Sequence, residues 1–181
     1  MANPEPLLKK ILAWEGGLSN HTLDHGGLTN KGITLRTWQR LGYDKDDDND
    51  IDDQDLMLIS SIDLAWLLKT HYWNRWRGDE IGSQSVAEIL VDWLWCSGKP
   101  AITIPQRVLN VKPDGIVGPI TLAAVNSANP EKLHDRIKNE RIGFIHRILE
   151  IDPTQQCFSK GWLRRIESFT FKNNHYENNV S

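Results

Sequence analysis

The spacing of apolar residues predicts helices along most of the chain and argues against a large sheet. Between residues 64 and 72, Leu64, Leu67 and Leu68 recur at helical intervals together with His71 and Tyr72. No stretch of strand length alternates regularly between polar and apolar residues. We therefore expect a mainly α-helical protein with at most a small β-hairpin near residue 25.

Capping residues, glycines and prolines predict where the helices begin and end. Asn3 and Pro4 are suited to start a first helix, which Gly16 and Gly17 would end. A second helix is expected near Thr34. Later helices are predicted from a capping box of Ser85 and Glu88 to Gly98, from Pro119, from Asn129 to Leu149, and over residues 161–171.

Lys99 and Pro100 interrupt the helical pattern directly after Gly98. Proline in an apolar pattern often marks a boundary between helices. We therefore predict two parts, residues 1–98 and residues 99–181, both helical.

Composition excludes two classes of partner. The 181 residues carry a formal net charge of -3, which supplies no basic field for nucleic-acid phosphates. No apolar run is long enough to span a bilayer, so membrane insertion is not expected. The start "MANPEPLLKK" also lacks the charged region and unbroken apolar core of a secretory signal.

The stretch "LAWEGG" places an acidic residue, Glu15, inside the apolar arc of the first helix. That arc consists of Leu7, Leu8, Ile11, Leu12 and Trp14. Apolar surroundings and the negative end of a helix dipole both favour the protonated carboxylic acid, as glycosidases require of a proton donor. A glutamate that reaches solvent from a frayed helix end fits the same position equally well.

A second carboxylate, Asp24, follows Glu15 by nine positions across a glycine-rich loop. Two carboxylates that flank one bond are the usual apparatus of glycoside hydrolysis. Thr29 lies five positions further on and is a candidate to hold the attacking water, although loop hydroxyls and carboxylates also commonly satisfy backbone groups.

Several motifs together resemble glycoside hydrolase family 108, a group of bacterial and phage N-acetylmuramidases. They are, in order, "EGG", "DHGGLTNKGIT", "HYWNRW", "LVDWLWCSG", "GIVGPITLAAV" and "GWLRR". The resemblance implies a lysozyme-like catalytic part with Glu15 as the catalytic acid. It also implies a C-terminal part similar to the predicted peptidoglycan domain, whose signature matches Asp114, Gly115, Gly118, Pro119 and Thr121.

The resemblance further implies a function in the bacterial cell envelope. The expected activity is hydrolysis of the β-1,4 bond between N-acetylmuramic acid and N-acetylglucosamine, with peptidoglycan glycan strands as the partner and no catalytic cofactor. Because no secretory signal is recognised, we expect a protein made in the cytoplasm that reaches the wall without a cleaved signal peptide, as an endolysin or a secretion activator would. We also expect a monomer. A non-catalytic wall-binding or secretion-assisting protein, and a lytic transglycosylase, are alternatives.

Aromatic and amide side chains are candidates for contact with the glycan. Tyr72, Trp73 and Trp76 are predicted to line a groove, because aromatic faces stack on sugar rings. Gln106 either contacts the glycan or covers a helix surface. Core packing is expected instead for the helical tryptophans Trp14, Trp66, Trp93 and Trp95, and Asp92 in "ILVDWLW" is expected to be paired if buried.

The acidic stretch "DKDDDNDIDDQD", residues 44–55, has the register of a calcium-binding EF-hand loop. Carboxylates fall at positions one, three, five, seven, nine and twelve, which are Asp44, Asp46, Asp48, Asp50, Asp52 and Asp55. Asn49 replaces the usual glycine at position six but tolerates the left-handed turn required there. We hypothesise a structural calcium site, against the alternative of a solvated acidic loop.

Overall fold

A computed structural model describes residues 1–14 and 28–173. Contacts divide the chain into two compact units. One unit is Pro4–Arg75, and the other begins at Trp76 and includes Met1–Asn3. The expected mainly α-helical fold is confirmed, and the predicted division after Gly98 stays a prediction about domain organisation.

The first unit consists of short helices and one small hairpin. Its elements are α1 (Glu5–Trp14), β1 (Thr29–Asn30), β2 (Ile33–Thr34), α2 (Leu35–Leu41), α3 (Asp53–Leu58), α4 (Ser61–Leu67) and a π-helical turn (Leu68–Trp73) that continues α4. A 3-10 turn, Asn74–Trp76, follows.

The hairpin lies at residues 29–34, a few residues beyond the predicted position. Thr29 pairs with Thr34 and Asn30 pairs with Ile33. The two residues between the strands, Lys31 and Gly32, have φ of 49° and 75°, as the tightest two-residue hairpin turns require. Glycine adopts this conformation without steric cost, which explains its place in the turn.

Helix α2 begins and ends through local contacts. The Thr34 side chain accepts a hydrogen bond from the Thr37 amide at 3.1 Å, so the predicted start near Thr34 is confirmed. At the other end, a Cβ on Gly42 would stand 2.3 Å from the ring of the fully buried Trp38. Only glycine lets the chain leave the helix so close to this ring.

The second unit is built around helix α5. Its elements are a 3-10 turn (Gly78–Glu80), α5 (Gln84–Ser97), α6 (Pro100–Val108), α7 (Pro119–Ser127), α8 (Pro130–Ile151), a 3-10 turn (Pro153–Gln155) and α9 (Gln156–Glu167). Ten consecutive residues of α5 are buried, because α6 and α8 both pack against it. Helix α9 packs on α8.

Three helix boundaries of this unit follow their predicted signals. Gly98 ends α5 with φ of 62°, Pro119 begins α7, and Asn129 caps α8 by accepting a hydrogen bond from the Lys132 amide at 3.0 Å. None of the helices in the described residues is long and apolar enough to cross a membrane.

Two boundaries differ from their predictions. The N-cap of α5 is Ser83, whose side chain accepts from the Val86 amide, so the predicted capping box at Ser85 is wrong. Ser85 lies inside the first turn, where its hydroxyl instead accepts a hydrogen bond from the Lys172 amide at 3.0 Å. The last helix begins at Gln156, five residues before the predicted start.

Candidate functional site

The two predicted catalytic carboxylates, Glu15 and Asp24, lie outside the described residues. The structure describes the helix that leads to Glu15 as far as Trp14. On this helix Leu7 and Ile11 are fully buried, whereas Leu12 is exposed. The core-facing side of α1 is therefore narrower than the predicted arc and is centred on positions 7 and 11.

Thr29, the third predicted catalytic residue, lies half-buried on β1. The next two residues attach the hairpin to α3. The buried Asn30 side-chain amide donates to the carbonyl oxygen of Leu56 at 2.7 Å, and the Lys31 ammonium donates to the carbonyl oxygen of Ile59. Because these contacts join distant parts of the first unit, they hold the backbone next to Thr29 in place.

The aromatic residues predicted to line a groove are mostly part of the core. Trp73 and Trp76 are fully buried, which contradicts their assignment as exposed sugar-stacking residues, and Tyr72 is half-buried. Trp66, expected in the core, is 40% exposed. Its ring meets the rings of Tyr43 and His71 edge to face, with centroids 5.9 and 5.3 Å apart.

Gln106 is fully buried and organises the turn that precedes α7. Its amide nitrogen lies within 3.2 Å of the Asp114 carboxylate, the Ile116 carbonyl oxygen and the Thr121 hydroxyl. Its amide oxygen accepts from the Gly115 amide at 2.9 Å. Gln106 therefore supports the turn of the peptidoglycan-domain signature, and its predicted contact with glycan does not fit this burial.

The acidic loop brings its carboxylates into two groups. Asp44, Asp46 and Asp48 form one group, in which one carboxylate oxygen from each residue lies within 4.8 Å of the others. Asp44 also accepts hydrogen bonds from the Asp47 amide at 2.7 Å and the Asn49 amide at 2.8 Å. Asn49 has φ of 75°, the left-handed conformation predicted for position six.

Asp50, Asp52 and Asp55 form the second group, and one carboxylate oxygen from each of them also lies within 4.8 Å of the others. Asp52 caps α3, and the fully buried Asp55 accepts hydrogen bonds from the Asp52 and Lys45 amides. The Lys45 and Asp52 amides together hold the pKa of Asp55 below its usual value. The second group is thus fixed at the start of α3 by backbone donors.

Mutual repulsion in the loop is visible in its acid–base properties. Loss of hydration and the neighbouring Asp48 carboxylate raise the pKa of Asp46. The Asp48 carboxylate, with some loss of hydration, likewise raises the pKa of Asp50. A pKa raised by neighbouring carboxylates shows that negative charge in the loop is not compensated locally.

A buried polar cluster around Asp63 was missed by the sequence analysis. The Asp63 carboxylate accepts hydrogen bonds from the Tyr43 hydroxyl, from the Lys45 ammonium at 2.7 Å, and from the Ser60 amide and hydroxyl at 2.7 Å each. The Ser60-x-x-Asp63 spacing of a capping box was a local signal for half of this cluster. The cluster fixes the entry to the acidic loop against the start of α4.

Ionisation of Asp63 is expected to make the stability of the protein fall at acidic pH. Burial alone would raise the pKa of Asp63, but hydrogen bonds from Lys45, Tyr43 and Ser60 outweigh it and hold the pKa well below its usual value. The stabilisation is therefore present above the unfolded pKa of about 4 and is lost as the pH falls towards the folded pKa. In urea unfolding, Asp63→Asn is expected to lower stability at pH 7 and to lose less than the wild type between pH 7 and pH 3. An unchanged pH profile in Asp63→Asn, matching that of the exposed control Asp47→Asn, would contradict this expectation.

Asp92 confirms the expectation that its carboxylate is paired. It is 1% exposed and accepts hydrogen bonds from Arg141 at 2.8 Å and from Arg165 at 2.9 Å. Burial would raise the pKa of Asp92, but the two guanidinium groups outweigh it and lower the pKa. Arg165 is the last residue of "GWLRR", so this cluster links that motif to "LVDWLWCSG" across α5, α8 and α9.

Comparison with known families matches nearly the whole chain. The sequence model described as Glycosyl hydrolase 108 matches residues 8–98, and the one described as Predicted Peptidoglycan domain matches residues 100–167. Among solved structures, the fold is similar to "Structure of Brucella abortus SagA", with 26% sequence identity and a TM-score of 0.77. That alignment covers 91% of this chain and 90% of the other. Comparison with curated proteins finds no match.

The fold and the two matches define a glycoside hydrolase of the bacterial cell wall with an attached peptidoglycan domain. The chain belongs to glycosyl hydrolase family 108. Peptidoglycan is accordingly its partner, and the cell envelope is where it acts.

Proposed function

We propose that this protein is an N-acetylmuramidase that hydrolyses the β-1,4 bond between N-acetylmuramic acid and N-acetylglucosamine, with Glu15 as the general acid. The observation that carries the proposal is the match of residues 8–98 to glycosyl hydrolase family 108, which includes the "LAWEGG" stretch. In this proposal the chain acts as a monomer and its catalytic step needs no metal.

The burial pattern of α1 supports the role of Glu15. Leu7 and Ile11 are buried and lie four positions apart, and Glu15 follows Ile11 by another four positions in the sequence. Positions four apart share one face of a helix. A carboxyl group in an apolar setting favours its protonated form, which lets it donate a proton to the leaving glycosidic oxygen.

Asp24 and Thr29 complete the proposed chemistry on the other side of the bond. Asp24 would activate the attacking water or stabilise positive charge that develops on the sugar ring. Thr29 would help to position that water. The attachment of the hairpin to α3 through Asn30 and Lys31 supports this role, because a water-positioning group requires a fixed backbone.

Mass spectrometry of the products released from purified peptidoglycan tests this function. Reducing-end muropeptides that terminate in N-acetylmuramic acid are expected from the wild-type protein. Anhydro-sugar ends would show a lytic transglycosylase, and reducing ends at N-acetylglucosamine would show cleavage of the other glycosidic bond. Binding to peptidoglycan without any released product would identify a wall-binding or secretion-assisting protein.

We also propose that residues 44–55 form a structural calcium site that takes no part in bond cleavage. Three features support it: the carboxylate register, the grouping of the carboxylates into two sets of three with oxygens within 4.8 Å in each set, and the left-handed backbone at Asn49. A divalent cation would neutralise the repulsion that is the main cause of the raised pKa of Asp50 and that adds to the effect of lost hydration on the pKa of Asp46. Because α3 begins inside the loop, the ion would connect α2 to α3.

Calcium is expected to raise the melting temperature of the protein. At a concentration about 100-fold above Kd, a ligand adds about 2.7 kcal/mol of stability, which corresponds to a rise of roughly 5–10 °C for a chain of this size. Scanning calorimetry with millimolar calcium and with chelator measures the difference. Asp46→Asn is expected to reduce the rise, whereas Asp47→Asn, which removes a charge at a position that is not a ligand, should keep it. If calcium did not change the melting temperature, the loop would be a solvated acidic segment and not a calcium site.

A further inference from the structure

A cleft of about 470 Å³ lies within the second unit between α6 and α8. Its charged lining consists of Arg107 from α6 and of Arg136, Glu140 and Arg147 from α8. Three guanidinium groups against one carboxylate give the cleft a positive charge in a protein whose formal net charge is -3. The cleft is therefore a local exception to the charge of the whole chain.

The charged side chains that line the cleft are not neutralised by ion pairs within the part of the chain that the structure describes. Among the described residues, none of the four side chains forms an ion pair, in contrast to Arg141 on the same helix, which pairs with Asp92. Arg136 donates one hydrogen bond, to the carbonyl oxygen of Val108 at 2.9 Å, which caps the end of α6. Arg107 and Arg147 are exposed and retain all their donors for a ligand.

The uncharged lining of the cleft is apolar and consists of Ile104, Val108 and Phe144. Phe144 is held in position by Trp93, whose ring it meets edge to face with centroids 6.0 Å apart. A cleft with an apolar lining and separated charges suits a ligand that carries small apolar groups between ionised groups. A bare polysaccharide has no such ionised groups.

The spacing of the charges along α8 sets the length of that ligand. Arg136 and Arg147 are separated by eleven positions, which is close to three whole turns, so both lie on one face about 16 Å apart. Four to five residues of extended peptide span at most about 13–18 Å. Glu140 lies between the two arginines on the same face, so the charges along this face of α8 are positive, negative and positive.

We propose that this cleft binds the peptide stem of peptidoglycan, which rests on the proposed function for the choice of polymer. The stem is a short peptide with alanine methyl groups, several carboxylates and one ammonium group on its diamino acid. The arginines would bind the carboxylates through charge-assisted hydrogen bonds, and Glu140 would bind the ammonium group. The peptidoglycan domain, matched over residues 100–167, then recognises the peptide while the family 108 part acts on the glycan.

Isothermal titration calorimetry with two soluble probes tests the cleft. The probes are the uncrosslinked tetrapeptide L-Ala–γ-D-Glu–meso-diaminopimelate–D-Ala and a peptide-free chitotetraose. The tetrapeptide is expected to bind the second unit of the 181-residue chain, and the double variant Arg107→Ala, Arg147→Ala should lose about tenfold or more in affinity for it. Chitotetraose affinity should not change in that variant. Lys160→Ala, which removes an exposed charge from α9 outside the cleft, serves as the matched control and should leave tetrapeptide affinity unchanged.

Glu140→Gln provides a second, independent readout. It should weaken binding of the tetrapeptide but not of the same peptide acetylated on the diaminopimelate amine, because only the free amine can pair with Glu140. Equal tetrapeptide affinity in the wild type and in the folded double variant would overturn the proposal. Competition by inorganic phosphate at the same concentration as the peptide would also overturn it, in favour of a site for phosphate-bearing polymers.

Different results would refute the proposed hydrolase activity and the proposed peptide-binding cleft. Tetrapeptide binding that depends on the arginines, in a protein that releases no muropeptides, would refute the hydrolase and keep the cleft. Release of muropeptides by a protein whose peptide affinity is indifferent to the arginines would refute the cleft and keep the hydrolase.

Discussion

Replacing Glu15 with glutamine is expected to abolish the release of reducing-end muropeptides from purified peptidoglycan. The amide keeps nearly the shape of the carboxylic acid but cannot donate the proton that the leaving oxygen requires. General acid catalysis contributes about 100- to 10,000-fold, so the loss of activity should be measurable by turbidity of a sacculus suspension. The melting temperature should change little, because a single neutral amide replaces a group that this mechanism keeps protonated.

The matched control for this substitution is Glu5→Gln at the first position of α1, where the side chain is exposed. It makes the same chemical change ten positions earlier in the sequence and should leave lysis unchanged. Asp24→Asn is expected to reduce activity strongly and Thr29→Ala to reduce it less. Near-normal clearing of peptidoglycan by folded Glu15→Gln would refute the assignment, and a silent Asp24→Asn would favour a transglycosylase that uses one carboxyl group and no water.

Features of the fold that depend on neighbouring residues in the sequence were predictable. The starts of α7 and α8 follow from Pro119 and from Asn129 with Pro130, and the end of α5 follows from Gly98. These signals act through the backbone within one helical turn, so their effect does not depend on the rest of the fold. The left-handed backbone at Asn49 belongs to the same class.

Burial could not be predicted in the same way, because it depends on which elements pack together. Trp66 and Trp73 lie seven positions apart, yet the first is 40% exposed and the second fully buried. The π-helical turn Leu68–Trp73 follows Trp66 and ends at Trp73, and it breaks the regular spacing on which a helical wheel relies. Gln106 illustrates the same limit, since its partners only come within reach once the Asp114–Gly118 turn has formed.

Whether Ser83 or Ser85 caps α5 also depends on packing between residues distant in the sequence. Both positions offer a hydroxyl, and the sequence favoured Ser85 because Glu88 follows it by three. In the structure the Ser85 hydroxyl is taken by the backbone of Lys172, 87 positions away. A long-range contact thus decided a local boundary.

For the buried carboxylate of Asp92, the sequence predicts that a partner is needed but not which residue provides it. Its position in an apolar helix required a partner, but nothing nearby in the sequence identified Arg141 and Arg165, which lie 49 and 73 positions away. Arg141 also donates to the carbonyl oxygen of Ile89 and lies over the ring of Phe169, at 5.5 Å from its centroid. The cluster therefore joins α5, α8 and α9 at one point in the second unit.

Replacing Asp92 with alanine is expected to be among the most destabilising single changes in the second unit. It leaves Arg141, which is 3% exposed, with an uncompensated charge in the core, and breaking a buried pair in this way costs about 3–5 kcal/mol. For a chain of this length that corresponds to a fall in melting temperature of roughly 10 °C. Asp135→Ala, which removes an exposed carboxylate from α8, should stay within about 0.5 kcal/mol of the wild type in urea unfolding.

A double-mutant cycle separates the buried charge from simple loss of packing. Once Arg141 is replaced by methionine, its charge is gone, so adding Asp92→Leu should cost less than Asp92→Leu does in the wild type. The pH profile gives the second test: because the arginines lower the pKa of Asp92, its stabilisation is present above the unfolded pKa of about 4 and is lost as the pH falls through the folded value. The Asp92→Ala variant should therefore lose less stability than the wild type between pH 7 and pH 3. Additive single effects, together with an unchanged pH profile, would show that Asp92 acts through packing rather than through its charge.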